Sequence, residues 1–130
     1  MTVSVLLITH ENIGEILLQT TRRVLDVCPL QTRCLPVPFD SDPDAIQQEA
    51  AQMINTMDKG DGVLILTDMF GSTPSNIAHR LSQAGKVMVV TGLNLPMMIK
   101  VMNYPNLDLQ QLVDLAVEGG KSGVLFNRRN

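Results

Sequence analysis

The 130-residue sequence holds two histidines, and one of them, His10, stands just past an apolar run, Val3–Ile8, with only Thr9 between. A second apolar run, Gly62–Leu66, leads through Thr67 to Asp68, and Gly71-Ser72-Thr73 then leads into Pro74. These residue types combine into one chemistry. A carboxylate that accepts a hydrogen bond from one imidazole nitrogen fixes the tautomer and leaves the other nitrogen as an exposed nucleophile. Asp68 is the orienter available to His10, and it would stabilise positive charge on the ring as bonding proceeds. Small residues, hydroxyls and backbone N–H groups at a helix start make an anion cradle, here Gly71, Ser72 and Thr73 ahead of the helix that Pro74 opens. Thr73 is the best-placed hydroxyl because it directly precedes that helix. A phosphoryl group on His10 could be held there without a metal, and the nucleotide-binding pattern GxxxxGK[ST] is missing. Taken singly, His10 is also compatible with a satisfied structural histidine and Asp68 with a capping acid. Their positions favour a site. His79, inside a helical stretch, reads as a surface residue.

Those residues need a scaffold that brings strand ends together. Val3–Ile8, Gly62–Leu66 and Val87–Val90 are near-continuous apolar runs, the pattern of strands buried on both faces of a parallel sheet. Cys34–Phe39 is weaker, because Pro36 and Pro38 cannot donate to a ladder, and belongs at a sheet edge. Between them lie helix-period segments. Ile13, Ile16, Leu17, Thr20, Val24 and Leu25 share one face of a first helix that Pro29 ends. Asp42 is the N-cap of a second, with Pro43 at its first position, an apolar stripe of Ile46, Ala50, Met53, Ile54 and Met57, and Gly60 at its end. Pro74 opens a third helix bearing Ile77, Ala78 and Leu81, with Gly85 beyond it. Pro96–Met102 and Leu109–Val117 read as two more, the latter closed by Gly119-Gly120, and Ser122–Phe126 as a last short strand. Strands alternating with helices predict an α/β fold with a doubly wound, mainly parallel sheet in the order 2-1-3-4. Ligands bind such sheets outside the carboxyl ends of the strands, where the winding reverses. The tips after the first, third and fourth strands (Thr9–Asn12, Thr67–Asn76 and Thr91–Pro96) are all polar, and the Met97-Met98 pair beside the last is a candidate partner contact.

Composition narrows the classes. The length predicts a single domain over residues 1–130. With 45% hydrophobic and 18% charged residues, a packed core is expected. The net charge of −3, scattered Lys and Arg, and 3% aromatic content without Trp argue against a nucleic-acid surface. Cys28 and Cys34, with no other Cys and no nearby His, read as reduced, semi-buried thiols rather than a metal or redox pair. The start carries no basic segment or cleavage site, and no apolar run approaches a membrane span, so a cytoplasmic protein without membrane insertion is expected.

Together, strand one ending in Thr9-His10, TDMFGSTPSN (67–76) and TGLNLPMM (91–98) resemble the enzyme IIA domain of the mannose/fructose family of the bacterial sugar phosphotransferase system, over essentially the whole chain. The resemblance implies a phosphocarrier that needs no cofactor. The residue matching His10 takes a phosphoryl group from HPr on Nε2 and hands it to a IIB protein, in transport or in a regulatory incomplete system. It implies that Asp68 bonds the other ring nitrogen and that Thr73 contacts the phosphoryl group. It also implies a homodimer in which Ser122–Phe126 is exchanged and pairs antiparallel on the other subunit. Two positions depart from the family pattern, Ser72 and Glu11 standing where Gly or a small residue is common. No fused IIB or IIC portion is expected within this length. A phosphotransfer subunit of a dihydroxyacetone kinase and a phosphorylation-dependent regulatory module are alternatives on the same fold. A receiver domain needs an acidic pair after strand one, where this chain has Thr9-His10, and a tetrapyrrole chelatase would not explain Asp68 together with the hydroxyl-rich loop.

Overall fold

The structure is a computed structural model that describes residues 2–129. In chain order the elements are β1 (Ser4–His10), α1 (Ile13–Val24), β2 (Thr32–Val37), α2 (Pro43–Met57), β3 (Val63–Thr67), α3 (Thr73–Leu81), β4 (Val87–Thr91), α4 (Leu95–Met102) and α5 (Leu109–Ser122). The four strands form one sheet in the order β2-β1-β3-β4, every pair parallel. β2 is an edge strand, as its two prolines require.

Period-two alternation explains why the central strands are apolar throughout. Val5, Leu7, Leu64, Leu66 and Val90 face a layer built from Leu18 of α1, Met98 and Val101 of α4, and Leu112 and Ala116 of α5. Leu6, Ile8, Ile65 and Val87 face the opposite layer, with Ala50, Met53 and Ile54 of α2 and Ile77 and Ala78 of α3. α1 and α2 therefore cover opposite faces. The chain steps from β1 outward to β2, then crosses back to β3 on the other side of β1. That reversal separates the loops after β1 and β3 and opens a crevice at their carboxyl ends.

Helix starts follow the sequence closely. Asp42 caps α2 by accepting from Asp44 N (3.1 Å), with Pro43 following. Asn94 caps α4 through Met97 N (2.9 Å), and Asp108 and Gln111 form a capping box on α5. α1 stops at Val24, short of Pro29, and α2 stops at Met57, where Asp58 Oδ1 accepts from Gly60 N (2.8 Å) and Gly62 N (3.1 Å) to build the turn.

Three expectations are corrected, and a fourth, the terminal strand, concerns pairing with a second subunit that a single chain does not contain. The buried line of α1 is Gly14, Leu18 and Thr21, while Ile13, Ile16 and Val24 are exposed. α1 leaves β1 through a two-residue turn, and Gly14 lies close against the strand: a Cβ there would lie 3.1 Å from Leu7 Cβ and 3.2 Å from Thr9 Oγ1, tighter than ordinary contact. That contact selects the line 14, 18, 21 against the sheet. Met97 and Met98 are core residues, 3% and 0% exposed, not a partner contact. α5 is not closed by Gly119-Gly120 but runs through them to Ser122. A Cβ at Gly119 would meet Lys100 Cβ at 2.8 Å and one at Gly120 would meet Met97 Cε at 2.8 Å, so these glycines let α5 lie against α4. In this single chain Ser122 is helical and residues 124–126 are irregular rather than a strand, with Val124, Leu125 and Phe126 78%, 82% and 89% exposed. A strand exists only against a ladder partner, and among the described residues nothing pairs with this segment.

Both cysteines are unpaired thiols and partly buried. Burial, helped by the Glu15 carboxylate and opposed by Arg22, pushes the Cys34 thiol up from 9.0 to about 11. Because the folded state favours the protonated thiol, the stability this contributes is complete below pH 9 and is lost as pH rises toward 11. Alkylation of Cys34 by iodoacetamide should accordingly be slow at pH 8 and keep accelerating through pH 11; a rate that levels off near pH 9 contradicts the assignment.

Candidate functional site

β1 is longer than β3 at its carboxyl end: Ile8 lies opposite Thr67, and His10 extends beyond, opposite Val37 of β2. Asp68 follows Thr67 directly and turns back toward His10. Its Oδ2 accepts from the His10 backbone N–H (3.2 Å) and lies 2.8 Å from His10 Nδ1. A carboxylate can only accept, so the contact assigns a proton to Nδ1, and in the neutral imidazole Nε2 then carries the free lone pair. Among the described residues no protein group bonds Nε2. The two side chains are 20% and 12% exposed, so the pair is sheltered while the ring still reaches solvent.

The neighbouring turns are fixed by local bonds. Thr9 Oγ1 accepts from Gly14 N (2.9 Å) and caps the start of α1, a task that the Asn12 side chain does not perform. Glu11 has a left-handed backbone, φ 45°. Its N–H reaches Val37 O (3.1 Å), and its Oε1 accepts from Phe39 N (3.2 Å). The Phe39 ring lies 5.5 Å from the His10 ring, tilted by 33°.

His10 opens into a cleft of about 130 Å³, room for a tetrahedral oxyanion, walled by Pro38, Phe39 and Ser41 on one side and by Thr73 and Pro74 on the other. Thr73 is the first residue of α3, so the cap position belongs to Ser72, one residue earlier than the sequence implied. Ser72 does not cap with its side chain. Its hydroxyl donates to Met69 O (2.6 Å) and closes the 69–72 turn, while its carbonyl accepts from Asn76 N. Gly71 takes φ 80°, which allows that turn. The structure therefore places His10 and Thr73 on the cleft with Asp68 bonded to His10, whereas Gly71 and Ser72 shape the turn that delivers α3 and do not line it. His79 is exposed on α3, where its ring meets Phe70 edge-on at 5.9 Å. Among the described residues no three His, Cys, Asp or Glu side chains gather as a metal site.

Phe39, Ser41 and the bond made by Glu11 are the parts that residue patterns missed. The available signal was topological: β2 borders β1, so the loop after β2 must flank His10. Sequence reading used Pro36 and Pro38 only as edge markers.

Known proteins resemble this chain throughout. The sequence profile of the family described as PTS system fructose IIA component matches residues 4–117. The mannose-specific EIIAB component of Escherichia coli K12 is 32% identical over 129 residues, covering 95% of this chain and 39% of that protein. The chain thus spans well under half the length of the curated relatives it matches. Among solved structures, the mannose/sorbose specific IIA subunit from Enterococcus faecalis superposes with a TM-score of 0.87 at 22% identity, covering 100% of this chain and 98% of that one. Component EIIA from Streptococcus agalactiae gives 0.82 at 19% identity, with 95% and 96% covered.

Gly71→Ala should destabilise the protein by about 1–2 kcal/mol, the cost of a left-handed L-residue where the surrounding space is open. Urea unfolding measures it; an unchanged midpoint would show that the turn reorganises freely.

Proposed function

Because the chain belongs to the PTS fructose IIA component family, we propose that it is a phosphocarrier: His10 accepts a phosphoryl group from phospho-HPr and passes it to a IIB protein of a sugar phosphotransferase system. The observation that carries this reading is the 2.8 Å contact between Asp68 Oδ2 and His10 Nδ1, which leaves Nε2 facing a cleft rather than a partner. In the forward step the Nε2 lone pair bonds to phosphorus, the donor's P–N bond breaks, and its electron pair returns to the donor imidazole. The ring gains positive charge, and Asp68 stabilises it through the Nδ1 proton. The reverse sense of the same step, with a IIB nucleophile, empties the site. Thr73 supplies a hydroxyl, and the positive end of the α3 dipole favours the phosphoryl oxygens. Glu11 does not oppose the incoming anion head-on, since its Oε1 is occupied by the Phe39 amide.

Two further features support a carrier that works by protein docking. Ile13, Ile16, Phe39, Met69 and Phe70 are exposed apolar side chains on the loops and first helix turn around the carboxyl ends of β1, β2 and β3, as a surface for protein partners requires. The exposed Val124–Phe126 segment leaves α5 beside β4, which is a sheet edge. In this reading it adds as an antiparallel strand to a second subunit, making a homodimer. No helix among the described residues is long and apolar enough to cross a membrane, and the proposed partners place the protein in the cytoplasm.

Incubation with phosphoenolpyruvate, enzyme I and HPr should give an acid-labile, base-stable phosphoprotein. His10→Ala should abolish labelling and His79→Ala should retain it. Asp68→Asn should slow transfer roughly a hundredfold or more, as loss of the orienting carboxylate does in other histidine-centred sites. Labelling that survives His10→Ala would overturn the assignment. For the dimer, light scattering should give twice the monomer mass for the native chain and a monomer for the Leu125→Asp, Phe126→Asp double variant; a native monomer contradicts strand exchange.

A further inference from the structure

Glu11 is, among the described residues, the one non-glycine with a left-handed backbone. Glycine would adopt φ 45° without strain, so an L side chain held there needs a compensating contact. The structure shows that contact. The bend delivers Glu11 Oε1 to the Phe39 backbone N–H at 3.2 Å, beside the backbone bond from Glu11 N to Val37 O at 3.1 Å. The turn that carries Phe39 is closed independently by Ser41, whose N–H and hydroxyl both donate to Pro38 O at 3.1 and 2.7 Å. Phe39 itself is 80% exposed and has no part in either core layer, yet its ring sits 5.5 Å from the imidazole of His10. Burial does not explain that placement. A tether on its own backbone does.

We propose that Glu11 is a positioning residue: its carboxylate latches the Phe39 amide and so seats the phenyl ring against the His10 imidazole. Asp68 holds the ring at one edge through Nδ1, and the tilted phenyl ring of Phe39 flanks it at 5.5 Å, so two separate contacts restrict the imidazole while Nε2 stays open to the cleft. The phenyl ring also stands on the cleft wall, where it limits the approach of water to a phosphoryl group on Nε2. Hydrolysis there bonds a water oxygen to phosphorus and breaks the P–N bond, Nε2 keeping the electron pair and inorganic phosphate leaving. The latch therefore sets how long the loaded carrier survives between donor and acceptor. The lifetime consequence rests on the phosphocarrier reading of His10; the ring placement does not.

The test has two arms. In the unphosphorylated protein, the phenyl ring current displaces the His10 ring-proton resonances, and Phe39→Leu removes that displacement. Glu11→Gly, which relieves the backbone and leaves the fold intact, should move the same resonances toward their Phe39→Leu positions. Glu11→Gln, whose amide oxygen still accepts from Phe39 N, should keep them at the native positions. In the phosphorylated protein, Glu11→Gly and Phe39→Leu should each shorten the phosphohistidine half-life roughly two- to tenfold, the range a tilted aromatic contact is worth, with no further loss in the double variant. Native resonances in Glu11→Gly, or equal displacement in Glu11→Gln and Glu11→Gly, overturn the latch. Unchanged half-lives overturn its shielding effect. Failure of His10 to be phosphorylated at all, with the resonances behaving as expected, overturns the carrier reading and leaves the latch standing.

Discussion

One oxygen atom, Asp68 Oδ2, receives two nitrogens of the same residue, the backbone N–H and the Nδ1 of His10. The double contact fixes the end of β1 against the end of β3 and at the same time decides which imidazole nitrogen is free. Structure and chemistry are thereby tied to a single group. A charged acceptor 12% exposed makes a stronger bond than it would in water, and the ring it orients is still reached from outside. Sliding β3 by one residue would turn Thr67 and Asp68 to opposite faces and dissolve the site, so the pair depends on strand register.

Register in turn rests on the two-sided core. Each central strand contributes alternate residues to two apolar layers, one under α1, α4 and α5 and one under α2 and α3. A slip would exchange those layers wholesale. Close approach of α5 to α4 through Gly119 and Gly120 completes the first layer, and the sheet can then hold its polar tips rigidly above a body that does not yield. The proposed carrier role gains from that rigidity, because neither docking event would have to build the site.

Much of this was legible from residue patterns, and the failures share a cause. The strand runs, the edge position of the proline-bearing strand and the caps at Asp42 and Pro43 come from local periodicity and backbone chemistry, the sheet order from the usual neighbouring of strands one and three in doubly wound sheets, and they match the structure closely. So does the nearness of His10 and Asp68, which follows from strand ends in a parallel sheet. What was misread depends on contacts distant in sequence. The more apolar line of α1 carries Ile13, Ile16 and Val24, yet the tight approach at Gly14 turns the line of Gly14, Leu18 and Thr21 to the sheet. Gly119-Gly120 look like a helix stop until α4 is placed beside them. Met97 and Met98 look available for a partner until α5 covers them. Phe39 and Glu11 carry no motif, and only the adjacency of β2 to β1 brings them to His10.

In the proposed carrier it is Nε2 of His10 that bonds to phosphorus. Phosphorus-31 and nitrogen-15 NMR of the chain after phosphorylation by phospho-HPr tests this directly. One-bond phosphorus coupling should appear on His10 Nε2, with Nδ1 still protonated and its proton shifted downfield by the Asp68 carboxylate. Coupling on Nδ1, or a phosphoryl group found on another residue, would contradict the role given to the Asp68–His10 pair.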